Sequence, residues 1–147
     1  MTDQQTILHG TCVSVGGVGV LILGAPGAGK SDLALKLIDQ AGYGLSAKLT
    51  RSELVADDQV VIMRRGTKLV ATAHATLRGK LEIRGLGIVG LKTKPQVGLG
   101  LVVKLVAHGK IERLPDISTY EILGVLLPAA DIDNGATSAP ARLRAAV

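Results

Sequence analysis

The sequence predicts an α/β fold in which a mixed β-sheet with flanking helices presents one glycine-rich loop. Three observations predict it. An uncharged aliphatic run, VGVLIL at 18–23, feeds directly into GAPGAGKS at 24–31. An amphipathic segment, SDLALKLIDQ, starts from the end of that loop. The later apolar runs are short and parted by turn residues, which reads as hairpins and so as antiparallel pairing beside a buried strand.

The elements follow in order. CVSVGGVGVLIL reads as a hairpin, and its second strand, 18–23, is apolar throughout, as expected of a strand covered on both faces. In SDLALKLIDQ, Leu33, Ala34, Leu37 and Ile38 form one stripe, with Asp32, Lys36 and Gln40 opposite at i, i+4 spacing. Gly42 and Gly44 end that helix, and AGYGLSAKLTRSE at 41–53 reads as a surface loop. ELVA at 53–56 is a short strand running into Asp57-Asp58, and QVVIM, RRGTK and LVATAHA form a hairpin. KLEIRGLGIVGLK at 80–92 sets charges inside an apolar stretch. Leu99 to Val106 is a further strand, TYEILGVLL follows a polar connection, and APARLRAAV closes the chain as a short helix after a turn-rich tail. No internal repeat or linker is visible, so residues 1–147 read as a single domain.

Composition narrows the function classes. The chain is 47% hydrophobic and 20% charged, with two Tyr and neither Phe nor Trp, so its core is aliphatic. Its 17 Lys and Arg against 12 Asp and Glu leave a net charge of +5, which suits an anionic ligand or an acidic partner. Nucleic acid is not expected, because no aromatic platform for stacking bases and no dense basic run is present. Cys12 is alone, which fits a reducing cytoplasm. The N-terminal stretch MTDQQTILHG lacks the pattern of a secretory leader. Residues 11–29 carry no charge over nearly the length of a membrane span, but the run is full of glycine and ends in the loop, so no membrane segment is expected.

GAPGAGKS meets G-x-x-x-x-G-K-[ST] at Gly24, Gly29, Lys30 and Ser31. Glycines let successive backbone N–H groups curl around phosphate oxygens, and the following helix adds its positive end. In such a loop Gly24, Ala25, Pro26, Gly27, Ala28 and Gly29 form the cradle. Lys30 reaches the β- and γ-phosphates, and the Ser31 hydroxyl binds Mg2+. Asp57 and Asp58 follow a short apolar strand, where phosphate-loop proteins place a metal-binding or basic carboxylate. The same dipeptide also suits a solvated turn. Glu82 and Arg84, two apart, would share one face of a strand. They either pair with each other or serve as a metal contact and a stabiliser of phosphoryl charge. His9 is uninformative by itself, and His74 and His108 read as surface or packing residues.

Together HG at 9–10, VGVLILG, GKSDLAL, LVADDQV at 54–60 and LEIRGLGIV at 81–89 resemble the catalytic domain of HPr kinase/phosphorylase in its short proteobacterial form. The phosphate loop alone fits many families; LVADD combined with LEIRGLG is specific to this one. The resemblance implies a fold akin to the nucleotide domain of phosphoenolpyruvate carboxykinase. It also implies ATP- and Mg2+-dependent phosphorylation of a serine on HPr, the phosphocarrier of the sugar phosphotransferase system. Many members reverse this with inorganic phosphate, releasing pyrophosphate, and members assemble as hexamers. Asp58 or Asp57 would accept the serine proton, with His9 beside the pair. Glu82 would complete the metal site and Arg84 the phosphate site. Ala25-Pro26 stands where longer members carry an acidic residue and a serine, a change that removes side-chain contacts but no required backbone donor. A P-loop kinase of a small molecule and a non-catalytic nucleotide sensor are the rival readings. The first would need an Arg-rich lid, and the second would lack a base.

Overall fold

The computed structural model describes residues 4–147, so the first three residues of the stretch read for a leader lie outside it. The chain begins with β1 (Gln4–His9), β2 (Thr11–Val15) and β3 (Val18–Leu23), and α1 (Lys30–Asp39) follows the glycine loop. Next come β4 (Ser52–Ala56), β5 (Gln59–Arg65) and β6 (Lys68–Ala73). β7 (Lys80–Ile83) and β8 (Gly87–Gly90) then form a hairpin apart from the main sheet. β9 (Gln96–Leu105) precedes the hairpin of β10 (Ser118–Ile122) and β11 (Val125–Ile132), and α2 (Ala139–Ala146) closes the fold. The sheet is mixed, as expected: β3 and β11 run parallel to β9, while the other pairs are antiparallel.

The fold turns on β9, which belongs to two sheets. Val97 and Gly98 pair with Ala71 and Val70 of β6, whereas Leu101 to Lys104 pair with Val20 to Leu23 of β3. Between the two regions the register slips, so that Gly19 faces Leu99 but Val20 faces Leu101. Gly100 is the extra residue. A one-residue slip moves side chains to the opposite face. Leu99 therefore points into one core layer, while Leu101, Val103 and Leu105 point into the other. The two strands approach closely here: a Cβ on Gly19 would lie 2.6 Å from the Gly98 carbonyl oxygen, so the position admits only glycine.

The core accordingly has two layers. On one face of the central sheet, Val13, Val20, Ile22 and Val103 pack against Leu33, Ala34 and Leu37 of α1 and Leu143 of α2. On the other, Cys12, Leu21 and Val102 meet Val60, Ile62, Leu69 and Ala71 of the β5–β6 layer. Burial on both faces explains why β3 reads as continuously apolar. Cys12 is fully buried, and burial pushes its thiol pKa up to about 12. α2 is fastened to α1 by Arg144, whose Nη2 donates to the carbonyl of Leu37 at 3.3 Å and to that of Gln40, satisfying acceptors left free at a helix C-terminus.

Two elements depart from the pattern read in the sequence. β1 pairs antiparallel with β5, yet its polar residues Gln4, Gln5 and Thr6 give no apolar alternation. β11 continues through Pro128 to Ile132, where a turn-rich tail was expected. Pro128 opposes Thr119 of β10, and pairing with β9 starts only at Ala129, so the missing N–H costs no ladder bond on that side.

Candidate functional site

At the end of β3 the chain leaves the sheet and curls before entering α1. Gly27 and Gly29 both take positive φ, 81° and 100°, a region that disfavours side chains. The Leu33 N–H donates to the Gly29 carbonyl at 2.9 Å and closes the first helical turn. Pro26, Gly27, Ala28, Gly29, Lys30 and Ser31 line a cleft of about 510 Å3. Gly24 and Ala25 lie beneath it and offer carbonyls rather than donors. Lys30 Nζ donates to them at 2.8 and 3.1 Å, so the ammonium is parked at the base of the loop.

The two aspartates are separated by environment. Asp57 is 6% exposed and has every carboxylate oxygen engaged. Its Oδ1 accepts from Ser31 Oγ and from Thr11 Oγ1, both at 2.8 Å. Its Oδ2 accepts from the Glu82 backbone N–H at 3.1 Å. Asp57 therefore joins the phosphate loop, β2 and β7 at one point. Asp58 turns the other way. Its φ is +71°, a left-handed conformation that Asp tolerates better than most residues, and its side chain is 68% exposed. The Gly10 N–H donates to its carbonyl at 3.1 Å, which brings His9 alongside, Nδ1 4.0 Å from Asp58 Oδ1. Asp58 lines the cleft, while His9 stands at its rim with a side chain 83% exposed.

The β7–β8 hairpin forms the opposite wall. Leu81, Ile83 and Val89 point inward onto the α1 core layer, while Glu82 and Ile88, opposite each other in the register, point outward. Glu82 lines the cleft. Arg84 begins the turn after β7 rather than extending the strand, and its Nη2 would lie 3.3 Å from a Cβ on Gly27. The guanidinium thus sits directly over the glycine loop. Among the described residues no ion pair joins Glu82 to Arg84, although the spacing allowed one.

Two cleft residues carried no signal in the sequence. Thr11 is a buried hydroxyl on an apolar strand, indistinguishable there from packing. Asn134 belongs to a segment that reads as a turn, yet it reaches the phosphate loop from the far end of the chain. Its Nδ2 donates to Asp32 Oδ2 at 3.0 Å, and Lys36 Nζ donates to its carbonyl oxygen at 3.0 Å and to its Oδ1 at 3.2 Å. The Asn134 hydrogen bond is the main reason the Asp32 carboxyl is held below its ordinary value; burial opposes this, and Lys36 reinforces it.

The residues present fit a magnesium–polyphosphate ligand. Gly27 and Gly29 turn the loop tightly beneath Arg84 and Asn134 through a left-handed backbone that a side chain would strain, and Lys30 is free to swing from uncharged carbonyls to an anion. Among the described residues no three His, Cys, Asp or Glu form a ready-made metal cage. Mg2+ does not need one, since it keeps waters and takes one or two protein ligands beside phosphate oxygens. Ser31 and Glu82 both line the cleft and would supply that donor set, with Asp57 fixing the Ser31 hydroxyl.

Residues 2–138 match the model of the HPr Serine kinase C-terminal domain. The chain is similar to the HPr kinase/phosphorylase of Chlorobium chlorochromatii, 39% identical over 148 residues, covering 90% of this chain and 41% of that protein. It is likewise 39% identical over 136 residues to the HPr kinase/phosphorylase of Cupriavidus metallidurans, covering 85% of this chain and 39% of that protein. It therefore spans about two fifths of the length of these curated relatives. Among solved structures it resembles the HPr(Ser) kinase/phosphatase of Coxiella burnetii, with TM-score 0.76 and 26% identity, covering 95% of this chain and 91% of that one.

Proposed function

Since the chain belongs to the HPr Serine kinase C-terminal domain family, we propose that it is the catalytic unit of an ATP- and Mg2+-dependent protein-serine kinase acting on HPr. One observation carries the reading: Asp57 ties the phosphate loop to the hairpin bearing Glu82 and Arg84, while Asp58 is left exposed at the cleft. Binding and transfer groups thus meet around one space. The open rim also favours a protein acceptor. Asp58 lines the cleft yet remains largely exposed, as does His9 beside it, so this end of the cleft opens to solvent.

In this mechanism the loop N–H groups and Lys30 hold the β- and γ-phosphates. Ser31 and Glu82 would hold Mg2+, which would neutralise charge on the polyphosphate. Asp58 takes the proton of the acceptor serine as its oxygen bonds to the γ-phosphorus. The bond from that phosphorus to the β–γ bridging oxygen breaks, and ADP leaves. Arg84, above Gly27, faces the equatorial oxygens where charge gathers. In the reverse direction an oxygen of inorganic phosphate attacks the phosphoserine phosphorus. Asp58 then returns the proton to the departing serine, and pyrophosphate forms. Asp57, with both oxygens committed to Ser31, Thr11 and Glu82, orders the metal side instead.

The protein acts in the cytoplasm in this reading, and no helix among the described residues is long and apolar enough to cross a membrane. Incubation with γ-labelled ATP, Mg2+ and HPr tests it. Acid-stable label on an HPr serine is expected, and absence of label with cognate HPr would overturn the proposal. Asp58→Asn, which keeps the left-handed backbone accessible, should abolish label transfer while ATP still binds. Transfer at the parent rate would remove Asp58 from the role of base.

A further inference from the structure

The cleft contains a negative charge where a polyphosphate would least favour one. Asp32 follows the metal-binding serine directly and lines the cleft. Its carboxylate is not free. Oδ2 accepts from Asn134 Nδ2 at 3.0 Å and lies 3.3 Å from Lys36 Nζ, one turn along the helix. Lys36 in turn donates to the Asn134 carbonyl and Oδ1, so the three side chains close a ring. The charges fix the amide orientation: a flipped Asn134 would set its oxygen against the carboxylate and its NH2 against the ammonium. Asn134 also lies against the loop itself, since a Cβ on Gly29 would clash with its amide.

From this ring we infer that Asn134 is a positioning residue of the nucleotide site, pinning the Asp32 carboxylate to Lys36 and so shielding the phosphate cradle from its charge. The inference rests on the reading that the cradle holds ATP. It gives a residue 102 positions from Asp32 in sequence a role in nucleotide affinity. Removing the amide frees one carboxylate oxygen and slackens its hold on Lys36. The carboxylate, less tightly held to Lys36, then repels the incoming polyphosphate more strongly. The resulting loss falls on ATP affinity, because among the described residues Asn134 bonds to Asp32 and Lys36 and not to Asp58 or Arg84.

The test is a charge cycle on the full chain, read by equilibrium binding of Mg-ATP and by KM and kcat for transfer to HPr. Asn134→Ala should weaken ATP binding about tenfold, the order of one added carboxylate–phosphate repulsion across the cleft, with the loss in KM rather than kcat. Asn134→Asp, which adds a second carboxylate, should weaken it further. Asp32→Asn placed in the Asn134→Ala background should restore affinity, because no charge remains to shield. The Asn134→Ala defect should also shrink as salt is raised. Unchanged affinity in Asn134→Ala, or no recovery in the double variant, would overturn the inference while leaving the kinase reading intact. Failure of the parent protein to bind Mg-ATP would instead overturn the kinase reading, and this inference with it.

Discussion

The two walls of the cleft are built differently. The phosphate-loop wall continues a strand buried on both faces into a helix whose stripe of Leu33, Ala34 and Leu37 is completely buried. The opposite wall is a two-stranded hairpin outside the main sheet, resting on the core through Leu81, Ile83 and Val89 and exposing Leu86 and Ile88 at its tip. Hairpins of two strands are marginal by themselves. The side that bears the glycine loop and Lys30 is therefore anchored by the fold, whereas the side that bears Glu82 and Arg84 depends on a few contacts. Asp57 is the bolt between them, accepting from Ser31 on one wall and from the Glu82 N–H on the other.

Lys30→Ala strikes the anchored wall hardest. It should lower kcat/KM about a thousandfold, mainly through lost ATP binding, checked by steady-state kinetics beside a binding isotherm. Leu81→Ala attacks the hairpin's footing. It should cost about 3 kcal/mol of stability, with amide exchange across residues 80–90 accelerating more than across 18–23. Equal acceleration in both segments would show that the two walls are equally anchored. Arg84→Ala should lower kcat about a hundredfold and leave the ATP dissociation constant within about twofold, separating transfer from grip. Arg144→Ala, behind the anchored wall, should destabilise the fold by about 1 kcal/mol through lost capping of α1, visible as a shift in the urea midpoint.

Cys12 probes the same backing without effect at neutral pH. Its folded pKa is raised to about 12 from 9.0, so the folded state retains a proton that the unfolded state releases. Its contribution is whole below pH 9 and is lost as the pH climbs toward 12. Native protein should resist thiol alkylation at pH 8 and react once unfolded.

The anchored wall was legible in the sequence because its chemistry is local: strand, glycines, lysine, serine and helix lie within a few turns of chain. The Asp57–Asp58 dipeptide was legible as a candidate, but its division was not. Burial of one and exposure of the other depend on Thr11, Ser31 and Glu82 converging from three elements. Glu82 and Arg84 showed as misplaced charges, yet no pattern revealed that the hairpin turn would bring Arg84 over Gly27. Asn134 and Thr11 gave no signal at all, since each is an ordinary turn or strand residue until the fold delivers it. β1 escaped for a related reason: its polar residues carry no alternation, and pairing with β5 alone makes it a strand.

The slip at Gly100 has a consequence for biosynthesis. β3, which delivers the chain to the phosphate loop, has β2 on one side and only residues 99–104 of β9 on the other. A nascent chain that has emerged only as far as the β7–β8 hairpin thus presents an aliphatic strand with an open edge, a template for pairing with other chains. The cleft cannot be assembled in sequence order; it waits for a strand made some eighty residues later, and until then an aliphatic segment stands with one edge open.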